Sequence, residues 1–309
     1  MNIPGPHKIR NDVGRALYQW LCREILDTRP LVIKPAPLTF CSMVSHRDIL
    51  MYLVAIKSVY PKIGEGTVCI INDGSLQPKD IERLNYHLGS PMFVDIAAID
   101  TGGCPRGALW ERLLYILGST EHNYVIQVDS DIVARGPIDE VVQCYRDNHS
   151  FTLGSGAGQH FTNLAEAATY AKAADDGHIQ VIAERNFDRL NEIRGKRYVR
   201  GCAGFAGFAR GTSLRRLAED FSATMSKLIG PRWSDWGSEQ VTSNYVVANS
   251  GDAVVLPWPK YANLDPNIRF KESSLLHFLG SRRFYKLRYI TESRQVIKKL
   301  KQSDRQRLQ

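Results

Sequence analysis

The sequence predicts an α/β fold with a mostly parallel central sheet, on three observations. Short apolar runs of strand length alternate with segments of ten to fifteen residues at helical spacing, the pattern of βαβ units. One run, Asn123-Tyr-Val-Ile-Gln-Val-Asp-Ser-Asp-Ile-Val133, is apolar until it meets two carboxylates, as a fully buried central strand is where it leaves a sheet. The chain, 309 residues at 43% hydrophobic and 23% charged, is long enough for one sizeable core, and no composition shift divides it strongly into separate domains.

Taken in order, residues 11–27 predict a helix capped by Asn11 or Asp12, with Val13, Leu17, Trp20, Leu21 and Ile25 as its apolar stripe. Pro30, Pro35 and Pro37 stiffen the connection that follows, so residues 1–37 form a helical extension. Leu38–Val44 is a first strand, and Ile49, Tyr52, Leu53, Ile56 and Val59 mark a helix that Pro61 stops. Residues 66–71 are a second buried strand, ended by the turn Asn72-Asp73-Gly74. A helix over 78–88, a strand over 92–96, a helix over 105–117 and a fourth strand over 124–128 continue the alternation. Residues 163–195 read as helical with a break at Gly177, and Tyr198–Phe208 is apolar and glycine-rich.

Composition excludes several classes. No run approaches eighteen apolar residues, so a spanning helix is not expected, and the first residues lack the apolar core of a secretory signal. Cys22, Cys41, Cys69, Cys104, Cys144 and Cys202 form no C-x-x-C pair, which fits free thiols in a reducing cytoplasm. The net charge of +8 is local: residues 282–309 carry ten Lys/Arg against Glu292 and Asp304, and the rest of the chain is neutral. That balance argues against specific nucleic-acid binding. It leaves a basic C-terminal segment, 286–309, that is either a solvated helix or a peripheral contact with an anionic membrane surface.

The chemistry concentrates where the fourth strand ends. Alternate residues of an extended chain point the same way, so Asp129 and Asp131 can face one hard cation in the crevice at the strand's end. A divalent ion there can hold a diphosphate. His277, flanked by Leu275-Leu276 and Phe278-Leu279, has the setting of an ordinary buried histidine, and Arg112 beside Glu111 that of a salt-bridged arginine. Trp233, Trp236 and Trp258 fit either core packing or stacking on a sugar.

The order of these pieces resembles the GT-A glycosyltransferases, the family 8 type in particular, at motif level over residues 38–285. Asp129-Ser130-Asp131 stands where that family ends its central strand in Asp-x-Asp, and Arg112 stands seventeen residues before the first Asp. Cys202-Ala203-Gly204 takes the place of an Asn-Ala-Gly segment, Glu239-Gln240 and Asn244 that of Asp-Gln-x-x-x-Asn, and His277-Phe278-Leu279-Gly280-Ser281-Arg282-Arg283 that of His-Phe-x-Gly-x-x-Lys. Cys202, Glu239 and Arg283 depart from the pattern, as does Ser45-His46 where the family has an Asp that reads the base.

The resemblance implies one GT-A-like, Rossmann-like catalytic domain over 38–285. It implies a metal held by Asp129, Asp131 and His277, with the imidazole tilting the preference from Mg²⁺ toward Mn²⁺. Arg112, Ser130, Ala203, Gly204, Gly280 and Arg283 would contact a nucleotide-sugar donor, UDP-linked. Glu239 and Gln240 would lie at the anomeric carbon or hold the acceptor hydroxyl. Transfer with retention is implied, to a glycan, lipid-linked or protein acceptor. A sugar-nucleotide pyrophosphorylase is the rival enzyme, but it needs a glycine-rich loop after the first strand, where this chain has Ser45-His-Arg-Asp-Ile-Leu50. A non-catalytic nucleotide- or carbohydrate-binding protein on the same fold is the third reading.

Overall fold

The structure, a computed structural model, describes residues 6–156, 158–190, 195–211, 214–265 and 270–306. Helix α1 (Pro6–Leu21) leads to β1 (Leu38–Val44), α2 (Ile49–Ile63), β2 (Thr67–Asn72), α3 (Pro78–Leu88), β3 (Met92–Asp95), α4 (Trp110–Ser119) and β4 (Tyr124–Val128). Next come β5 (Ile132–Ala134), α5 (Asp139–Asp147), β6 (Phe151–Leu153) and β7 (Thr162–Asn163). The pair α6 (Leu164–Lys172) and α7 (Ile179–Arg185) precedes β8 (Arg197–Tyr198) and β9 (Cys202–Phe208). The chain then forms α8 (Leu214–Ile229), α9 (Ser238–Ala248), β10 (Val254–Leu256), β11 (Tyr261–Asn263), β12 (Leu275–His277) and α10 (Arg288–Gln306).

Seven strands make the main sheet in the order β10-β6-β9-β4-β1-β2-β3. Its neighbours pair in parallel except β9, which runs opposite to both β4 and β6. β1 and β4 keep the bounds predicted from their apolar runs, and β4 is buried at every position because helices cover both faces of the sheet. Alternation along β1 sorts its side chains: Phe40 and Val44 join the core under α2, while Cys41 faces the core under α4. A second sheet, β11-β12-β5, sets β12 antiparallel to β5.

Three boundaries differ from the sequence reading. The first helix begins at Pro6 rather than at a cap on Asn11 or Asp12, and a 3₁₀ turn over Arg23–Asp27 replaces its last turn. The phase shifts with it: Val13 and Trp20 are each 63% exposed, and Gly14, Tyr18, Cys22 and Ile25 face inward. Gly14 is required there, since a Cβ would stand 2.5 Å from Phe284 Cγ. Helix α2 passes through Pro61 and stops at Gly64, which adopts φ 89° and donates its N–H to the Tyr60 carbonyl. Helix α4 starts five residues late because Gly107, Ala108 and Leu109 all have positive φ. The region 163–195 forms α6, α7 and a 3₁₀ turn at Phe187–Arg189, interrupted around Gly177, and 191–194 lie outside the described residues.

Twelve consecutive residues of α2, Ile49 to Tyr60, are buried. Helix α10 packs beside them, burying Tyr289, Ile290, Val296 and Ile297, while Arg294, Lys298, Lys299 and Arg305 stay exposed. No described helix is long and apolar enough to cross a membrane.

Candidate active site

Where β4 ends, its neighbours bring three elements to one point. The Asp129 N–H donates to the Gly204 carbonyl of β9 at 2.9 Å, continuing the β4–β9 ladder past the strand. The chain then turns into β5, whose pairing with β12 sets His277 opposite Ile132. His277 Nε2 thereby comes within 3.1 Å of Asp131 Oδ1. Gly204 makes room for the ring, because a Cβ on it would lie 2.2 Å from His277 Cε1. The small-residue segment thus serves close approach of an imidazole, beyond simple strand packing.

Arg112 and Glu239 come from the first turns of α4 and α9, which the Trp110 indole ties together by donating to Ser238 Oγ at 2.9 Å. The guanidinium bridges two acids, with Nη1 2.6 Å from Asp129 Oδ1 and Nη2 3.0 Å from Glu239 Oε1. Arg283 closes the other side, 2.7 Å from Asp131 Oδ2, and its Nε donates to the Phe278 carbonyl at 3.2 Å.

The charges depend on one another. Burial pushes the Asp129 carboxyl up, with Arg112 opposing and Asp131 adding to the rise. Burial acts the same way on Asp131, but His277 and Arg283 outweigh it and hold that carboxyl down at about 2. Burial disfavours a charged His277, yet Asp131 and Cys202 overcome it and raise the ring well above the usual histidine value. Burial raises Glu239, against the pull of Arg112.

The residues fit a divalent cation. One ligand atom from each of Asp129, Asp131 and His277 lies within 4.8 Å of the others. The arginines take Oδ1 of Asp129 and Oδ2 of Asp131; the second oxygen of Asp129 is left to a cation, and Asp131 Oδ1, 3.1 Å from His277 Nε2, would share that cation with the ring nitrogen. His277 Nδ1 sits 2.9 Å from Asn263 Oδ1 and 3.3 Å from Cys202 Sγ. A proton on Nδ1 donated to Asn263 leaves Nε2 to bind metal, the tautomer that histidine ligands need. Two carboxylate oxygens and one imidazole nitrogen form a mixed hard donor set that suits Mn²⁺ or Mg²⁺.

These groups open on a cleft of about 460 Å³. Ten of the expected residues line it: Arg112, Asp129, Asp131, Ala203, Gly204, Glu239, Gln240, His277, Gly280 and Arg283. Ser130 does not; its carbonyl accepts the Tyr289 hydroxyl at 3.0 Å. His46 also lies elsewhere, 2.6 Å from Asp80, and Asp73 forms a turn by accepting the Ser75 N–H. Of the tryptophans, Trp233 is core, and Trp236 lines the cleft at 67% exposure. The sequence reading missed His178, Gln180, Arg200 and Asn263. Arg200 is two residues from Cys202 and was within reach of the motif, whereas Asn263 arrives only through the β11–β12 register. A larger groove, about 630 Å³, lies between α10 and the end of α1 and shares no lining residue with the cleft.

Neither a protein-family model nor a curated protein matches this sequence. Solved structures do. The bifunctional glycosyltransferase WbbM superposes with a TM-score of 0.54 at 16% identity, over 87% of this chain and 50% of that one. This chain therefore spans about half the length of WbbM. The galactosyltransferase LgtC, solved with donor and acceptor sugar analogues, gives a TM-score of 0.50 at 11% identity, over 84% of this chain and 95% of its own. At such identities the likeness establishes the architecture: this chain has the α/β fold of GT-A-like glycosyltransferases.

Proposed function

We propose that the protein is a divalent-metal-dependent glycosyltransferase of the family 8 type. It would move a sugar from a UDP-linked donor to an acceptor hydroxyl with retention. The observation that carries the reading is the convergence of Asp129, Asp131 and His277, with Arg283 on the same carboxylate, at a strand end of a GT-A-like fold. Binding alone would not call for a metal centre with a cation beside it at the place where a leaving diphosphate would sit.

In the reaction, the acceptor hydroxyl oxygen bonds to the anomeric carbon as the bond from that carbon to the diphosphate breaks. The electron pair leaves on the diphosphate, and the hydroxyl proton passes to a diphosphate oxygen. A divalent ion, when bound, supplies stabilisation of the charge that collects on the leaving group. Arg283 adds charge-assisted hydrogen bonds to the same oxygens. Gly280, at φ 58° with nothing near its Cβ position, lets the backbone approach a phosphate. Gln240 faces the sugar. Glu239 is 2% exposed and committed to Arg112, so it holds that guanidinium in place and does not serve as a base, in keeping with retention.

Six buried free cysteines accord with a reducing compartment, and we place the protein in the cytoplasm. The exposed basic face of α10 supports peripheral contact with an anionic membrane.

Isothermal titration tests the site. UDP should bind in the presence of Mn²⁺ and lose that binding in Asp131→Asn. Equal UDP affinity with and without metal would overturn the assignment. A panel of nucleotide sugars, followed for metal-dependent UDP release, then identifies the donor.

A further inference from the structure

A cavity of about 330 Å³ lies between α2 and α10 and shares no lining residue with the candidate active site. Four cations line it, Lys57, Lys62, Arg135 and Lys299, against one acid, Glu292. Arg135 is spent on that acid, with Nε 2.7 Å from Glu292 Oε2. Lys57 is 2% exposed, and its ammonium meets neutral groups: Thr28 Oγ1 at 2.8 Å, the Arg29 carbonyl at 2.8 Å and His87 Nδ1 at 2.9 Å. Those bonds use its three donors without bringing a negative charge. Asp304, the acid that acts on Lys57, accepts the Arg29 N–H at 2.9 Å and does not ion-pair with the lysine.

Lys62 and Lys299 remain. Among the described residues, neither side chain has a carboxylate within ion-pair distance. The two are close enough to repel: burial, and then the Lys299 ammonium, hold the Lys62 amine below its usual range. A cation in the last turn of α2 complements the helix dipole, which accounts for Lys62. It does not account for Lys299, which stands more than a turn before the end of α10. Gln295, Lys299 and Ser303 follow one another at four-residue spacing, so they share the face of α10 that lines the cavity. The Gln295 amide and the Ser303 hydroxyl are likewise uncommitted among the described residues.

We infer that this cavity is a phosphoryl-binding site, in which a phosphate monoester seats its dianion between Lys62 and Lys299, with Gln295 and Ser303 as neutral donors. Two like charges held at one cavity cost energy until an anion joins them, and a phosphoryl group offers each donor an oxygen. The volume leaves room for a carrier beyond the phosphate, and Pro61, Val296 and Leu300 give its carbon skeleton an apolar wall. No aromatic ring among the described lining residues offers a base a surface to stack on, so the carrier is not a nucleotide. The same phosphoryl chemistry is presented by a small soluble ester and by a lipid headgroup.

Calorimetric titration of the full chain, in metal-free buffer at fixed ionic strength, separates these sources with two soluble probes, glycerol 3-phosphate and dihexanoyl phosphatidic acid. At least one should bind. Its affinity should fall at least about tenfold in the double variant Lys62→Gln, Lys299→Gln, the loss of roughly one charge-assisted hydrogen bond. Both lysines reach solvent, so this variant keeps its fold. The double variant Lys298→Gln, Arg305→Gln removes the same charge from α10 outside the cavity and should change affinity by no more than about twofold. Binding of glycerol 3-phosphate identifies a soluble ester, and binding of the lipid alone identifies a headgroup. Binding by neither probe, binding that persists unchanged without Lys62 and Lys299, or an equal loss in the two double variants overturns the site.

Discussion

Gly204 shows how much of the site rests on single residues. With a Cβ 2.2 Å from the His277 ring, Gly204→Ala must displace the imidazole or the strand. We expect it to cut Mn²⁺-dependent UDP affinity at least as severely as His277→Ala does, measured by the same titration, while the far-UV dichroism stays native. Arg112 offers a stability test. Its removal strands the carboxylate of Glu239 in the interior, so Arg112→Ala should cost about 3–5 kcal/mol in urea unfolding, and adding Glu239→Gln should recover part of that. His87 gives the pH dependence. Burial and the Lys57 ammonium, 2.9 Å away, push its imidazole down to about 4. The folded state takes up this proton less readily than the unfolded chain does. The contribution to stability is therefore whole above the unfolded value of 6.5 and is lost as pH falls toward 4. Wild-type stability should drop more steeply over that window than His87→Gln, by at most about 3 kcal/mol. The apolar run ending in two carboxylates pointed to Asp129 and Asp131, and the family resemblance pointed to Arg112. The sequence could not announce Asn263, which reaches His277 through the β11–β12 register, or Gly204's contact with His277, which depends on strands of two different sheets coming together.

At the level of elements, α10 is half core and half charge. Truncation after residue 285 removes the Tyr289 ring that stacks on Tyr18 at 4.7 Å and on Phe278 at 4.8 Å. Such a variant should melt at least 5 °C lower, as expected for a loss well above 1 kcal/mol, so it is a poor probe of membrane contact. Lys298→Glu, Lys299→Glu and Arg305→Glu together leave the buried face alone. They should preserve the melting temperature while weakening co-sedimentation with phosphatidylserine vesicles by roughly a hundredfold, at about 1 kcal/mol per basic residue. Unchanged co-sedimentation would leave this face as solvated surface. Buried strands were the most legible elements: β1 and β4 are covered on both faces, so their sequences carry little but apolar residues. Helix α1 was legible as a helix but not in its phase. Gly14 contributes nothing to an apolar stripe, and the residue that fills its space, Phe284, is 270 positions away.

Across the whole molecule, fold class and the place of the site followed from the order of strands and helices, because parallel strands put their exits on one edge. A smaller cavity of about 350 Å³, which shares Arg200 with the cleft, had no such signal. Its residues come from the loop before β7, β7, α6, α7, β8 and the β8–β9 turn, and only their packing makes a pocket of them. The cleft around Asp129, Asp131 and His277 is therefore built partly from strand ends and partly from α7, which brings Gln180 to its lining.

The twelve buried residues of α2 have a last consequence, for the order in which the chain is made. A helix this apolar has no solvent face, and part of its cover is α10, whose core residues reach Ile297. On a ribosome adding 5–20 residues per second, α2 would wait roughly 10–50 s for that cover to emerge. During that interval the nascent chain presents one of its most apolar segments to the surroundings, which makes it a natural client for chaperones that hold extended apolar chain.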